Sequence, residues 1–415
     1  MTIIEQKHQP RDQGEARSKG LDRSAQSFEE VTHYLNINAF IDYSQRTPEG
    51  RQPILPACLM ALERSREPSI AIPPSVLRAY GQFRPTPLFR AYAYEQALSS
   101  SCVILVKDES GSPSGNHKMN SAYLIAGLCS ATGAALLTTE TTGNWGLALA
   151  KAAKHFGIRS ISFLDSQSAE QRPLVAQAIT QAGGLVRYVE LTAGESALVL
   201  SADEAIRETL ALDSGAYVFG SVYGYFVVPQ SVVGLEARTQ CEAMGYSVDF
   251  VVGSCGGGAN LLGIAAPFLA DRVAGGRSVQ VVSAEAEECP ILSEGSPGWY
   301  SVDSQHYCPA IFTRGLPGVG TAHYIGGLAS TIVATAASEF CARGFVEPRV
   351  IVRSAAREAA SRFFAAEGIR VALESSYQLA VTEQIATSQE NRAILVNVSG
   401  GWNDGIFYGE GNEAK

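Results

Sequence analysis

Short β-branched runs alternating with helical patterns constrain this chain more than any other feature. Runs at 103–107, 134–138, 160–164, 250–253, 279–284 and 394–398 are nearly continuous in apolar residues, the pattern of strands covered on both faces in a parallel sheet. Between them lie helical segments. In 146–157, Leu149, Ala152, Ala153 and Phe156 fall at helical spacing and Gly157 supplies a C-terminal stop. Strand, helix, strand repeated through 415 residues predicts an α/β protein with mainly parallel sheets flanked by helices. The length exceeds one ordinary domain, yet no repeat, low-complexity tract or obvious linker divides the chain. Two interleaved lobes therefore fit better than separate beads. Residues 1–27 are polar and charged with almost no aliphatics, which predicts a disordered tail.

Charge narrows the partner classes. Lys+Arg 32 against Asp+Glu 41 leaves a net charge of −9, which disfavours nucleic acid because phosphate neutralisation needs basic surface. A small-molecule partner is expected instead. The N-terminus has no apolar h-region, and no stretch reaches the ~18 apolar residues of a membrane helix. The eight cysteines are scattered without a C-x-x-C pair, which reads as free thiols in a reducing cytoplasm, with no metal site.

Four segments carry chemistry. In KDESGSPSGNHKMNSA (107–122) a strand runs into a Ser/Pro/Gly loop, and a helix is expected from about Asn116. That puts Lys118 in the first helical turn beside His117, where helix-terminal potential and loss of water disfavour the ammonium and leave an amine able to attack a carbonyl. Taken alone, Lys118 could equally be a surface lysine following a cap. In TTETTGNWG (138–146) a strand is expected to end, a polar turn to follow and a helix to start. Backbone N–H groups there, with Thr141, Thr142, Gly143 and Asn144, could hold a carboxylate, or simply form a capping turn.

In VVGSCGGGANLLG (251–263), Gly256, Gly257 and Gly258 allow the backbone to wrap a phosphate, with Ala259 and Asn260 opening the next helix. The spacing fails the G-x-G-x-x-G dinucleotide pattern. A plain strand-to-helix turn is the bland alternative. In ILVNVSGGWND (394–404) a buried strand delivers Ser399 into a Gly-Gly turn, a weak signal by itself. A nucleophilic lysine, a carboxylate loop and a phosphate cradle together are what pyridoxal phosphate and an amino acid require.

SPSGNHKMNSA resembles the cofactor-lysine motif of tryptophan synthase β subunits. RPTPL at 84–88, GSV at 220–222 followed by QSVVGLEA at 230–237, CGGGAN at 255–260, EAEECP at 285–290, GIRVALESS at 368–376 and VNVSGG at 396–401 resemble the same family in the same order, over roughly 45–408. The likeness is greatest to its second, stand-alone class, among fold type II pyridoxal-phosphate enzymes. The resemblance implies a smaller N-terminal lobe from 28–82 and 119–222 with a mobile substrate loop. It also implies a larger lobe from 83–118 and 223–410 with the phosphate cradle. It makes Lys118 the cofactor-binding lysine that later carries the α-proton and His117 a phosphate contact. Gly256, Gly257, Gly258, Ala259 and Asn260 become the cradle, Ser399 the pyridine-nitrogen partner, and Glu374 a neighbour of that ring edge, with Asn144 near the cofactor. The implied reaction is β-replacement on L-serine or a related β-substituted amino acid through an aminoacrylate, in a homodimer, with a nucleophile left unidentified. The rivals are a serine or threonine dehydratase, a cysteine-synthase-like enzyme and a catalytically silent partner subunit.

The sequence departs from that family where acceptor chemistry is decided. Ungapped alignment from Asn144-Trp145-Gly146 puts Thr139 in the slot of the family's catalytic glutamate, whereas a one-residue deletion puts Glu140 there. Only the second supplies a general acid. The shorter loop also resembles that of cysteine synthases. Tyr377 replaces a common histidine, and Gly224-Tyr225 an Asn-His pair. Such changes at the expected active-site wall predict an altered acceptor.

Overall fold

The computed structural model of the protein describes residues 31–46, 54–191, 196–319 and 325–401; the tail expected at 1–27 lies outside them. Ten strands build the two central sheets: β1 (Leu88–Arg90), β2 (Val103–Asp108), β3 (Leu136–Thr141), β4 (Arg159–Asp165), β5 (Leu185–Val189), β6 (Gly215–Tyr217), β7 (Phe250–Ser254), β8 (Gln280–Ala286), β9 (Val346–Ile351) and β10 (Ala393–Val398). Strands β3 to β6 form a four-stranded sheet in the order β5-β4-β3-β6, all parallel. The others form a six-stranded sheet, β9-β8-β7-β10-β2-β1, parallel except for β1 against β2. The chain thus leaves the larger sheet after β2, completes the smaller one, and returns at β7.

The six-stranded sheet is buried as its apolar runs require. Val251, Val252, Ile394, Leu395 and Val396 have no accessible surface. Lys107 of β2 is as fully buried, and its ammonium is met by Thr86 O, Glu236 Oε2 and Gln240 Oε1, each at 2.8 Å. Arg84 joins Glu236 (2.8 Å) to Glu109 (3.1 Å), so two cations face two carboxylates and none is left uncompensated. Asn120 adds Nδ2 to Glu109 at 3.1 Å, tying this network to the helix that follows the Lys118 loop.

Five helices matter for the site: α1 (Met119–Ala131), α2 (Asn144–His155), α3 (Ser231–Ala243), α4 (Ala259–Val273) and α5 (Leu373–Ser388). Three boundaries differ from expectation. Helix α1 starts at Met119, not near Asn116, because the Asn116 side chain accepts the Lys118 N–H at 3.0 Å and holds a turn before the helix. Helix α2 spans 144–155 rather than 146–157. Strand β3 runs through Thr141, so Thr139 and Glu140 are strand residues rather than part of a polar turn. Among the described residues no helix is long and apolar enough to cross a membrane, and all eight cysteines are free.

Candidate active site

Ligands of α/β folds bind in the crevice at the carboxyl ends of parallel strands, and there two loops of the six-stranded sheet are stitched together beside a third. After β2, His117 N–H donates to Ser399 O at 2.8 Å and Gly115 O accepts from Gly401 N at 3.0 Å. After β10, Gly400 O accepts from Ala372 N at 3.0 Å, just ahead of α5. After β7 comes the glycine turn into α4. The cleft between them holds about 520 Å³ of empty space, part of it open to solvent, and is lined by Asn116, His117, Lys118, Asn144, Gly256, Gly257, Gly258, Ala259, Asn260, Glu374 and Ser399.

Lys118 stands at the N-cap of α1, one residue outside the helix. A methyl group placed on Gly327 would lie 3.0 Å from both Lys118 Nζ and Glu374 Oε1, so the amine and the carboxylate share one side of that glycine. Glu374 accepts from Gly327 N at 2.7 Å and from Asn144 Nδ2 at 3.4 Å.

His117 is buried, and burial first and the Lys118 charge second push its pKa down to about 4. It is therefore neutral near pH 7. Its Nδ1 lies 2.9 Å from Gln230 Oε1, while Gln230 Nε2 donates to Ser121 Oγ, whose proton goes to Phe226 O at 2.6 Å. That relay leaves Gln230 Oε1 as an acceptor, which assigns the imidazole proton to Nδ1.

The cradle is shaped by its glycines. A Cβ on Gly256 would collide with the Gly327 carbonyl, and one on Gly257 with the Ser221 hydroxyl. Gly258 adopts φ +92, the left-handed turn that aims the first N–H groups of α4 back into the cleft. Asn260 is anchored between Ser254 Oγ (Nδ2 donating, 3.0 Å) and Asn397 Nδ2 (2.6 Å). At the β10 end, Ser399 Oγ lies 3.0 Å from Ser375 Oγ and 3.3 Å from Gln378 Nε2.

Of the loop expected to hold a substrate carboxylate, Asn144 lines the cleft and Thr141, Thr142 and Gly143 do not. The Thr141 hydroxyl accepts from both Gly143 N and Gly146 N at 2.9 Å, holding the first turn of α2. Arg172, buried behind the loop, donates to Asn144 Oδ1 at 2.9 Å. Neither Thr139 nor Glu140 faces the open cleft. Thr139 Oγ1 donates to Val218 O at 2.6 Å and accepts from Trp145 Nε1 at 2.7 Å. The Glu140 carboxylate accepts from Tyr217 Oη at 2.6 Å and from the backbone of Gly220, a cleft residue, at 3.3 Å. Its burial raises the pKa to about 7, the range of a proton carrier at neutral pH.

Two expectations need correcting. Gly224-Tyr225 is not on the cleft wall: Gly224 packs on Asn38, and Tyr225 donates its N–H to Glu63 at 2.9 Å and its hydroxyl to Phe219 O at 3.1 Å. Tyr377 is likewise fully buried away from the cleft. Conversely, Ser221, Ser254, Phe226, Gly327 and Leu328 line the cleft without having been singled out. The doublet Gly326-Gly327 was the one visible signal for the last two.

These residues suit a phosphorylated aromatic aldehyde: an amine, a glycine-rich anion cradle at the N-terminus of a fifteen-residue helix, and a hydroxyl. A family model described as pyridoxal-phosphate dependent enzyme matches residues 80–400. The chain is 34% identical over 376 residues to the tryptophan synthase beta chain 2 of Methanosarcina acetivorans, covering 85% of each protein. It is 32% identical to the proteins of the same name from Methanosarcina mazei, over 85% of this chain and 84% of that one, and Aquifex aeolicus, over 85% and 88%.

Proposed function

Because the chain belongs to the family of pyridoxal-phosphate dependent enzymes and is tryptophan synthase β-like, its cofactor is pyridoxal 5′-phosphate, and we propose that it performs β-replacement on L-serine or a related β-substituted amino acid. The observation that carries this reading is the convergence of Lys118, the glycine cradle and Ser399 on one cleft. Bound there, the cofactor supplies an aldehyde that captures amines and a ring that draws electrons from Cα. Lys118 Nζ would hold it, and the same amine, when free, would take up the proton from Cα of the substrate. The cradle from Gly256 to Asn260 would hold the phosphate, with the His117 ring beside it, and Ser399 would meet the ring nitrogen. Asn144, on the loop with Thr141, Thr142 and Gly143, orients the substrate carboxylate, and Glu374 orders Asn144 and Gly327 around the amine. As the Cβ–O bond breaks, the Glu140 carboxyl, swung from behind Gly220 into the cleft, would give its proton to the departing hydroxide, which leaves as water. The carboxylate so formed then receives the proton of the incoming nucleophile.

The placement of Glu140 behind Gly220 favours a second reading, a cysteine-synthase-like enzyme whose acetate leaving group needs less protonation, or a serine or threonine dehydratase in which a group other than Glu140 protonates the departing hydroxide. Glu140→Ala separates the two. In a β-replacement enzyme acting on serine, turnover falls ~10²–10⁴-fold and the defect shrinks with O-acetylserine. Unchanged serine turnover, with ammonia and a 2-oxo acid formed whether or not indole is present, rejects the first reading. The reading also takes the enzyme to be a cytoplasmic homodimer, for which sedimentation at micromolar concentration should give twice the 44.1 kDa chain mass.

A further inference from the structure

Behind Ser399 lies a small polar assembly that the reading above does not use. Gln378 of α5 has no accessible surface, and its Nε2 reaches two cleft hydroxyls, Ser254 Oγ at 3.0 Å and Ser399 Oγ at 3.3 Å. Its Oε1 is buried without a hydrogen-bond partner. Turning the amide over would put two N–H donors in that place, and an orphaned pair of donors costs more than one orphaned carbonyl. The amide is therefore held with its N–H groups toward the serines. Ser375, also fully buried, has the Ser399 hydroxyl as its neighbour at 3.0 Å. If Ser399 donated to Ser375, the Ser375 proton would be left buried without an acceptor. With Ser375 donating instead, both lone pairs of Ser399 Oγ are filled, one by Ser375 and one by Gln378. The remaining direction, that of its own proton, is the cleft.

We propose that Gln378, with Ser375, is a positioning residue that fixes Ser399 as a hydrogen-bond donor to the cofactor ring and thereby holds the ring nitrogen unprotonated. This rests on the reading that Ser399 meets that nitrogen. A donor hydroxyl facing a pyridine nitrogen excludes a proton from it, because two protons cannot occupy one hydrogen bond. An unprotonated ring is the weaker electron sink, and it favours loss of a β-substituent over reactions that need a long-lived carbanion. Ser254, accepting from Gln378 and from Asn260 at 3.0 Å, is turned by the same amide, so one side chain sets the polarity of two cleft hydroxyls.

The test is nitrogen-15 NMR of the holoenzyme carrying pyridoxal phosphate labelled at the ring nitrogen, titrated across neutral pH. The wild-type resonance should stay at the unprotonated position throughout. In Gln378→Leu, and separately in Ser375→Ala, one lone pair of Ser399 is released, and the protonation equilibrium of the ring nitrogen should shift by roughly tenfold, one pH unit, toward the protonated form. Ser399→Ala is the control on the underlying reading. If it leaves the resonance and its titration as in the wild type, Ser399 does not meet the nitrogen and that reading fails. If it moves them while Gln378→Leu and Ser375→Ala do not, the reading stands and the positioning role of Gln378 is overturned. A wild-type nitrogen that is protonated at pH 7 overturns the role as well.

Discussion

Glu140 shows at the scale of one residue how burial creates reactivity. Its folded pKa near 7 lies above the ordinary 4.5 because desolvation outweighs the Tyr217 and Gly220 hydrogen bonds. The folded protein therefore binds this proton more tightly than the unfolded chain, so the stability it contributes is complete below pH 4.5 and is lost as pH rises through 7. His117 acts with the opposite sign: depressed to about 4 from 6.5, it costs stability as pH falls from 6.5 toward 4. Glu140→Gln removes the carboxyl's pH dependence and leaves that of His117 in place. Urea denaturation should show the variant gaining on the wild type between pH 4.5 and 7.5, by up to about 3 kcal/mol. A stability difference independent of pH would mean that the carboxyl is not held protonated by the fold.

Elements position the chemistry more than any single side chain does, and the β7 to α4 turn is the clearest case. Gly256→Ala drives a methyl group into the Gly327 carbonyl, a backbone atom that cannot rotate away. The expected outcome is a loss of about 1–3 kcal/mol in stability together with weaker cofactor binding by equilibrium dialysis. Unchanged affinity would move the anion site elsewhere. This turn was legible in the sequence because three consecutive glycines after a buried strand have few other uses. The end of β3 was not. Thr-Thr-Glu-Thr-Thr reads as polar, but inside the sheet each group is satisfied: Thr138 by Thr209, Thr139 by Val218 O, Glu140 by Tyr217. Polarity marks a turn only when the partners are solvent, and partners from β6 and the helix Ala197–Leu210 are invisible in a local window. Gln378 and Ser375 were illegible for the same reason: their roles exist only once α5 is packed beside β10.

At the scale of the whole molecule, the alternating pattern foretold parallel sheets, and the chain order explains why two are interleaved: the segment between β2 and β7 builds the smaller sheet. The buried quartet of Arg84, Lys107, Glu109 and Glu236 draws on three separate stretches of chain. No periodicity announces it. Through Asn120 it supports the helix that carries Lys118 at its cap, so remote ionic packing and the reactive amine belong to one structure. The most direct test is therefore chemical. Borohydride reduction of the holoenzyme followed by peptide mapping should place the pyridoxyl group on Lys118; a label on any other lysine, or none, would contradict the assignment of this cleft as the active site.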